Sequence, residues 1–311
     1  MRAYARRPVE GRTVGPEPRQ AKCGSAPKAG EVGWGGPRAT PPDTRAGARS
    51  ARMDPMTDPM LRAVLSDIGT INPFFAVESD LAGEGWVPID GLWRRPELLA
   101  AEIADVRRRL AGRAQVPEDQ VEPRVAASIL YQGLASRLLS PVIAAALCHD
   151  RVPDPAALHW SPARTGPLVF ALRDGPGLAS PTAPARGRDG ADLVSDHVIT
   201  AVLAPIGEAI RAQVKVAPRL LWGNAASSLA GTVQQLAEAR PGHAAAVMAL
   251  ATQLMNRPPL AGLGEFARPG ATDARFFSRS TCCLYYRIPG CAKCGDCALL
   301  PARRTRPTSA R

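Results

Sequence analysis

From Pro96 onward, apolar side chains recur every three to four residues. Leu98, Leu99, Ile103, Val106 and Leu110 follow the 3.6 period of a helix, which Pro96 and Glu97 open with a pre-set φ and a first-turn acid. A second helix is predicted from Pro123 to Leu139, with Val125, Ile129, Leu130, Leu134 and Leu138 on its buried face. Ser140-Pro141 then begins a separate short apolar helix ending near His149. Helical patterning resumes from Leu193 to Val214, where Pro205 predicts a kink or break, and continues from Pro218 to Ala239 and from Pro241 to Met255. The middle of the chain differs. Leu168 to Leu172, behind Thr165-Gly166-Pro167, reads as a strand with a partner near Leu158 to Ser161. Asp174-Gly175-Pro176-Gly177 is turn chemistry, and Gly175 to Gly190 reads as a loop long enough for a lid or binding loop. The expected fold class is therefore mainly α with a small β-sheet in the middle, followed by a C-terminal cysteine-rich hairpin. No repeat recurs at a fixed period.

The polar positions add less. Arg107, Arg108, Arg109 and Arg113 follow Glu102 and Asp105 by about a turn, the pattern of a solvated, ion-paired helix face. His149 beside Cys148 reads as a helix-end histidine next to a core cysteine, because no second metal ligand lies nearby. The run of small residues from Trp222 to Gly231 permits close helix packing, or close approach of a bound group, with packing the default. No apolar stretch approaches the roughly 18–20 residues that span a bilayer. Val142 to Cys148 is too short, and Thr252 and Gln253 interrupt Ala244 to Met255. The N-terminus has arginines without the apolar region of a secretory signal. The expectation is a soluble, cytoplasmic protein with at most peripheral membrane contact.

Charge changes the picture by its placement. The 311 residues carry a net +11, yet residues 1–52 hold eleven basic and four acidic side chains, and residues 301–311 hold four arginines and no acid. The remaining 24 basic and 24 acidic residues cancel. A nucleic-acid-binding fold would show its basic face inside the folded part, so nucleic acid is not an expected partner. Residues 1–52 also contain seven prolines and eight glycines without apolar periodicity, the text of a disordered basic extension. Met53, Met56 and Met60 offer later starts. The expected layout is that extension, a mainly helical body over 53–275, a metal-binding segment over 276–300 and a basic tail over 301–311. Arg303, Arg304 and Arg306 in the tail could dock an acidic partner, though a frayed end is the default.

Of seven cysteines, five fall between Cys282 and Cys297. An oxidised scaffold would spread them through the fold. Cys294-x-x-Cys297 is a tight chelate, Gly295 would let the backbone wrap a bound centre and aim amides at sulfur, and Pro289-Gly290 would turn this pair back toward Cys282 and Cys283. The adjacent Cys282-Cys283 is a poor half of a zinc knuckle, whereas a two-iron cluster accommodates unusual spacings. The spacing favours an iron–sulfur cluster over zinc, and zinc over disulfides, which would leave one stray thiol.

Cys-Cys, ten residues, Cys, two residues, Cys resembles the C-terminal signature of ferric-siderophore reductases of the FhuF type. Leu284-Tyr285-Tyr286-Arg287 and Gly295-Asp296 resemble the family as well, as do, more loosely, Leu130 to Gly133, Leu158-His159-Trp160 and Trp222-Gly223-Asn224. The resemblance implies a [2Fe–2S] cluster on Cys282, Cys283, Cys294 and Cys297. Cys291 is an extra cysteine within the ten-residue spacer, and its exchange with Cys294 as a ligand stays open. The implied activity is one-electron reduction of a ferric siderophore, with a cleft expected around Trp160, the Gly175–Gly190 loop and Trp222. No dinucleotide or phosphate-binding motif occurs in the chain, so an external ferredoxin or NAD(P)H-dependent reductase is the expected electron donor. The alternatives are a non-enzymatic siderophore-binding or scaffold protein with a structural four-cysteine zinc site, and, behind it, a cluster-based sensor.

Overall fold

A computed structural model describes residues 59–79, 81, 85–162, 168–172, 178–179, 190–267 and 275–300. The expectations for residues 1–52, for the Asp174–Gly177 turn, for most of the Gly175–Gly190 loop and for the tail over 301–311 lie outside these residues. The fold is mainly helical, with small antiparallel sheets.

Helix α1 (Pro59–Gly69) buries Leu61, Val64, Leu65 and Ile68, spaced to line one face. A two-residue strand β1 (Val87–Pro88) and a single turn α2 (Gly91–Arg94) lead to α3 (Pro96–Ala114), which buries Leu99, Ile103, Val106 and Leu110 as its periodicity predicts. Gln115, left-handed at φ 54°, ends α3 by donating its N–H to the Ala111 and Gly112 carbonyls.

Helix α4 (Pro123–His149) departs from expectation by running unbroken through Pro141. Proline there removes one ladder hydrogen bond, but α4 is enclosed by α1, α3 and a later helix, and packing outweighs that local cost. The merged helix is long and apolar enough to cross a membrane, as is the helical run Gly190–Gln213, which corrects the reading that no stretch approaches that length. In α4, 94% of the most apolar window is buried inside the protein itself.

Next come β2 (Val152–Pro153), β3 (Leu158–Trp160), β4 (Phe170–Leu172) and β5 (Leu178–Ala179). Strand β3 pairs antiparallel with β4 in the register Leu158↔Leu172 and Trp160↔Phe170, as the sequence predicts, and β1 adds on its other edge. Strand β5 pairs with β2 and lies inside the stretch read as a loop. Trp160 is fully buried, so the expected cleft loses one wall: this indole is core and presents no face to a ligand.

Helix α5 (Gly190–Val194), a π-helical stretch (Ser195–Leu203) and α6 (Ala204–Gln213) form one run. Pro205 does not break it. The ladder widens just ahead of the proline, where the Ala204 N–H reaches back five residues to the Ile199 carbonyl. Helices α7 (Pro218–Ala239) and α8 (Ala244–Met255) follow, then β6 (Gly264–Phe266) and β7 (Phe277–Arg279).

The pairing of α4 with α7 positions the site. Both helices are apolar but carry polar residues at four-residue intervals, Ser128, Gln132, Ser136 and Ser140 on α4 and Asn224, Ser228 and Thr232 on α7, and all are buried. They meet across the interface. Asn224 Nδ2 donates to the Ser128 carbonyl (2.8 Å), Ser228 Oγ to the Gln132 carbonyl (2.9 Å), and Ser140 Oγ lies 2.8 Å from Thr232 Oγ1. The paired positions rise together along both helices, so the helices run in the same direction, with a four-residue offset between Gln132–Ser228 and Ser140–Thr232. Each such bond adds only about 1 kcal/mol net, but an orphaned partner costs about 1–3 kcal/mol, which fixes the register.

Candidate metal centre

The β6–β7 ladder pairs Gly264 with Arg279 and Phe266 with Phe277, and it delivers the chain to the N-terminal half of α7. There Gly223 packs directly on Thr281, with no room for a Cβ. The small residues of α7 therefore serve packing, the default reading of the sequence, both along the helix seam and against the cysteine segment at Gly223.

The cysteines follow on irregular backbone. Leu284 is left-handed at φ 69°, Tyr285–Arg287 forms one 3-10 turn, and the chain reverses at Gly290 (φ 75°). The left-handed positions are thus Leu284 and Gly290. Gly295 sits in a turn closed by the Cys297 N–H on the Cys294 carbonyl (3.1 Å), and the amides aimed at sulfur come from elsewhere. The Leu284 N–H donates to Cys282 Sγ (3.3 Å) and the Leu299 N–H to Cys297 Sγ (3.4 Å).

The reversal brings four sulfurs together. Cys283 Sγ lies 3.3 Å from Cys294 Sγ, and Cys282 shares hydrogen bonds with Cys283 and Cys297. Cys283, Cys294 and Cys297 are buried and Cys282 is half-buried. Cys291, also half-buried, lies on the reversal itself, its N–H donating to the Ile288 carbonyl (3.0 Å). The sulfurs touch one another, and among the described residues no three His, Cys, Asp or Glu side chains surround a point suited to a single ion. Loading a metal centre requires these thiols to lose protons and move apart.

The four thiols divide on that step. The hydrogen bond with Cys283 holds the Cys282 thiol below its ordinary pKa. Cys283 is raised by the same bond, Cys294 by its bond to Cys283, and Cys297 by burial. Proton loss is thus favoured at Cys282 and opposed at the other three thiols. One fixed cation already stands beside them. Arg279 donates from Nη2 to Cys294 Sγ (3.0 Å) and from Nη1 to Asn224 Oδ1 (2.8 Å), with its Nε 3.4 Å from Asp296 Oδ2. Burial opposes the charge on Arg279, but Cys283, Asp296 and Cys294 outweigh it and raise its pKa. Ser227 Oγ completes the group by donating to Asp296 Oδ2 (2.5 Å), and Ser128 Oγ donates to the Cys283 carbonyl (2.8 Å). Four convergent sulfurs, backbone amide donors and a buried guanidinium suit a thiolate-held iron–sulfur group.

The sequence reading found the cysteines and missed Arg279, Ser128 and Ser227. The signal for Ser128 was the polar stripe within an otherwise apolar helix; Ser227 lies off the corresponding stripe on α7. His149 is placed as expected at a helix end, its Nε2 2.9 Å from Oδ2 of Asp67, whose other oxygen, Oδ1, accepts from Arg240 (3.1 Å). Trp222, half-buried, meets Tyr131 edge-on with ring centroids 6.2 Å apart.

Residues 279–299 match the family model for the FhuF 2Fe-2S C-terminal domain. No curated protein matches the chain. The match decides the choice of centre that spacing left open, in favour of a [2Fe–2S] cluster.

Proposed function

We propose that this chain, an iron–sulfur protein carrying the FhuF 2Fe-2S C-terminal domain, is a ferric-siderophore reductase whose cluster is held by Cys282, Cys283, Cys294 and Cys297. The observation that carries the reading is the convergence of those four sulfurs, three of them buried, inside the matched segment. Cys294 is preferred to Cys291 because it is the buried one of the two and touches both Cys283 and Arg279.

Siderophores present hard oxygen donors that hold Fe³⁺ far more tightly than Fe²⁺. Transfer of one electron to the bound Fe³⁺ therefore releases the metal without breaking a bond in the chelator. A bound [2Fe–2S] cluster supplies single electrons. The chain's own residues set the surroundings. Burial of Cys283, Cys294 and Cys297 keeps water from most of the sulfur, while half-buried Cys282 is the ligand nearest to solvent, from which substrate and donor would approach. The electron is replaced from outside the chain, by a ferredoxin or an NAD(P)H-dependent reductase.

Anaerobic purification followed by visible and EPR spectroscopy tests the centre, with red-brown colour that dithionite bleaches as the expected result. The reduced protein is then mixed with a ferric siderophore and a ferrous-specific chelator. One Fe²⁺ captured per cluster oxidised supports the activity, and its loss in Cys294→Ser supports the ligand. A bleachable cluster that is never reoxidised by ferric siderophore overturns the reductase reading and leaves a binding or scaffold role.

A further inference from the structure

We propose that Arg279 is a positioning residue that sets the reduction potential of the metal centre through its hydrogen bond to the Cys294 sulfur. This rests on the assignment of Cys294 as a cluster ligand.

The side chain of Arg279 is wholly buried, and each arm of its fork faces a different element. Nη2 donates to Cys294 Sγ (3.0 Å) on the cysteine segment and Nη1 to Asn224 Oδ1 (2.8 Å) on α7. Asn224 is itself fixed, since its Nδ2 donates to the carbonyl and hydroxyl oxygens of Ser128 on α4 (2.8 and 2.9 Å). The guanidinium therefore has little freedom to turn away from the sulfur.

The arrangement differs from a simple ion pair. An arginine placed only to neutralise Asp296 would present two parallel N–H groups to the carboxylate. Here the carboxylate stands 3.4 Å from Nε, which makes no hydrogen bond, and accepts its short bond from Ser227 instead (2.5 Å). Both terminal nitrogens are committed elsewhere, one of them to sulfur. A cation donating to a ligand sulfur stabilises the more negative, reduced state, and hydrogen bonds to sulfur and local charge are among the factors that set cluster potentials. Asp296 and Ser227 belong to the same device. The carboxylate acts against the guanidinium, and the Ser227 hydroxyl moderates it.

The test is a redox titration of the anaerobically purified protein, followed by EPR, with iron and sulfide content measured on each sample. In Arg279→Gln the oxidised-to-reduced ratio at fixed poise should rise at least tenfold, about 59 mV toward lower potential for one electron. Arg279→Lys keeps the charge without the fork and should fall between Arg279→Gln and the parent. Ser227→Ala reads the device from its other side and should also lower the potential, by removing the donor that tempers Asp296. Fully loaded Arg279→Gln with an unchanged ratio overturns the proposal. If Arg279→Gln does not load, Ser227→Ala decides: a lowered potential supports the proposal and an unchanged one overturns it. A parent protein with no bleachable cluster removes the ligand assignment itself, a failure distinct from an unmoved potential.

Discussion

Gly223 on α7 and Thr281, one residue before the cysteine pair, are packed so closely that a Cβ on the glycine would overlap Thr281 Oγ1. Gly223→Ala should therefore push the cysteine segment off the helix. Alanine improves helix propensity by about 1 kcal/mol, so any net loss reports the clash. We expect a net cost of about 1–3 kcal/mol together with reduced iron per protein. Thermal unfolding and iron analysis measure both, and Gly223→Ala/Thr281→Gly should recover part of each. A fully loaded single mutant of parental stability would refute the packing argument.

Cys291 and Cys294 can be separated by single substitutions. Cys291 lies half-buried on the chain reversal, whereas Cys294 is buried against Cys283 and Arg279. Cys291→Ser should keep parental iron and sulfide content, and Cys294→Ser should lose most of both. The reverse outcome would exchange the two residues in the ligand set.

Ser128 ties α4 to the cysteine segment by donating to the Cys283 carbonyl while accepting from Asn224. In Ser128→Ala both buried partners lose their bond to the hydroxyl. A loss of about 1–3 kcal/mol is expected, read from denaturant midpoints. Wild-type stability in this variant would mean that water or a neighbour replaces the hydroxyl.

Glu102 gives the protein a pH dependence unrelated to the metal. Burial on α3, with the Asp105 charge adding to it and Arg109 opposing, pushes its carboxyl up from 4.5 to about 7. The folded state then binds the proton more tightly than the unfolded state. Stability from this group is fully present below about pH 4.5 and is lost as pH rises toward 7, by at most about 3 kcal/mol. Glu102→Gln should remove that slope and exceed the parent in stability at pH 8. Parallel stability–pH curves for the two proteins would show that Glu102 titrates normally.

Periodicity was enough to locate α3 and α8, because their apolar residues repeat on a single face, whereas α7 is buried on every side from Gly223 to Val233. It failed at Pro141, where the local rule for proline competes with enclosure by three helices and loses. The cysteines were legible because thiols at short spacing have few other uses. Arg279 was not, since its role depends on Asn224, 55 residues earlier in the chain, and a lone arginine ending a short strand carries no local mark. Ser128 and Cys283, 155 residues apart, show the same limit. Gly295 was expected to aim amides at sulfur, but the amide–sulfur bonds come from Leu284 and Leu299, because the Cys297 N–H is spent on closing the turn at the Cys294 carbonyl.

Helices α4 and α7 are locked together by their own apolar faces and by the Ser140–Thr232 and Gln132–Ser228 links, which use no atom of the cysteine segment. The helix pair therefore has bonds of its own that do not depend on the inorganic cargo beside it. Oxidative damage to the centre should strip a short peripheral stretch and spare the shelf beneath it. Repair is then a matter of refitting a part on an intact mount, with no need to rebuild the whole molecule.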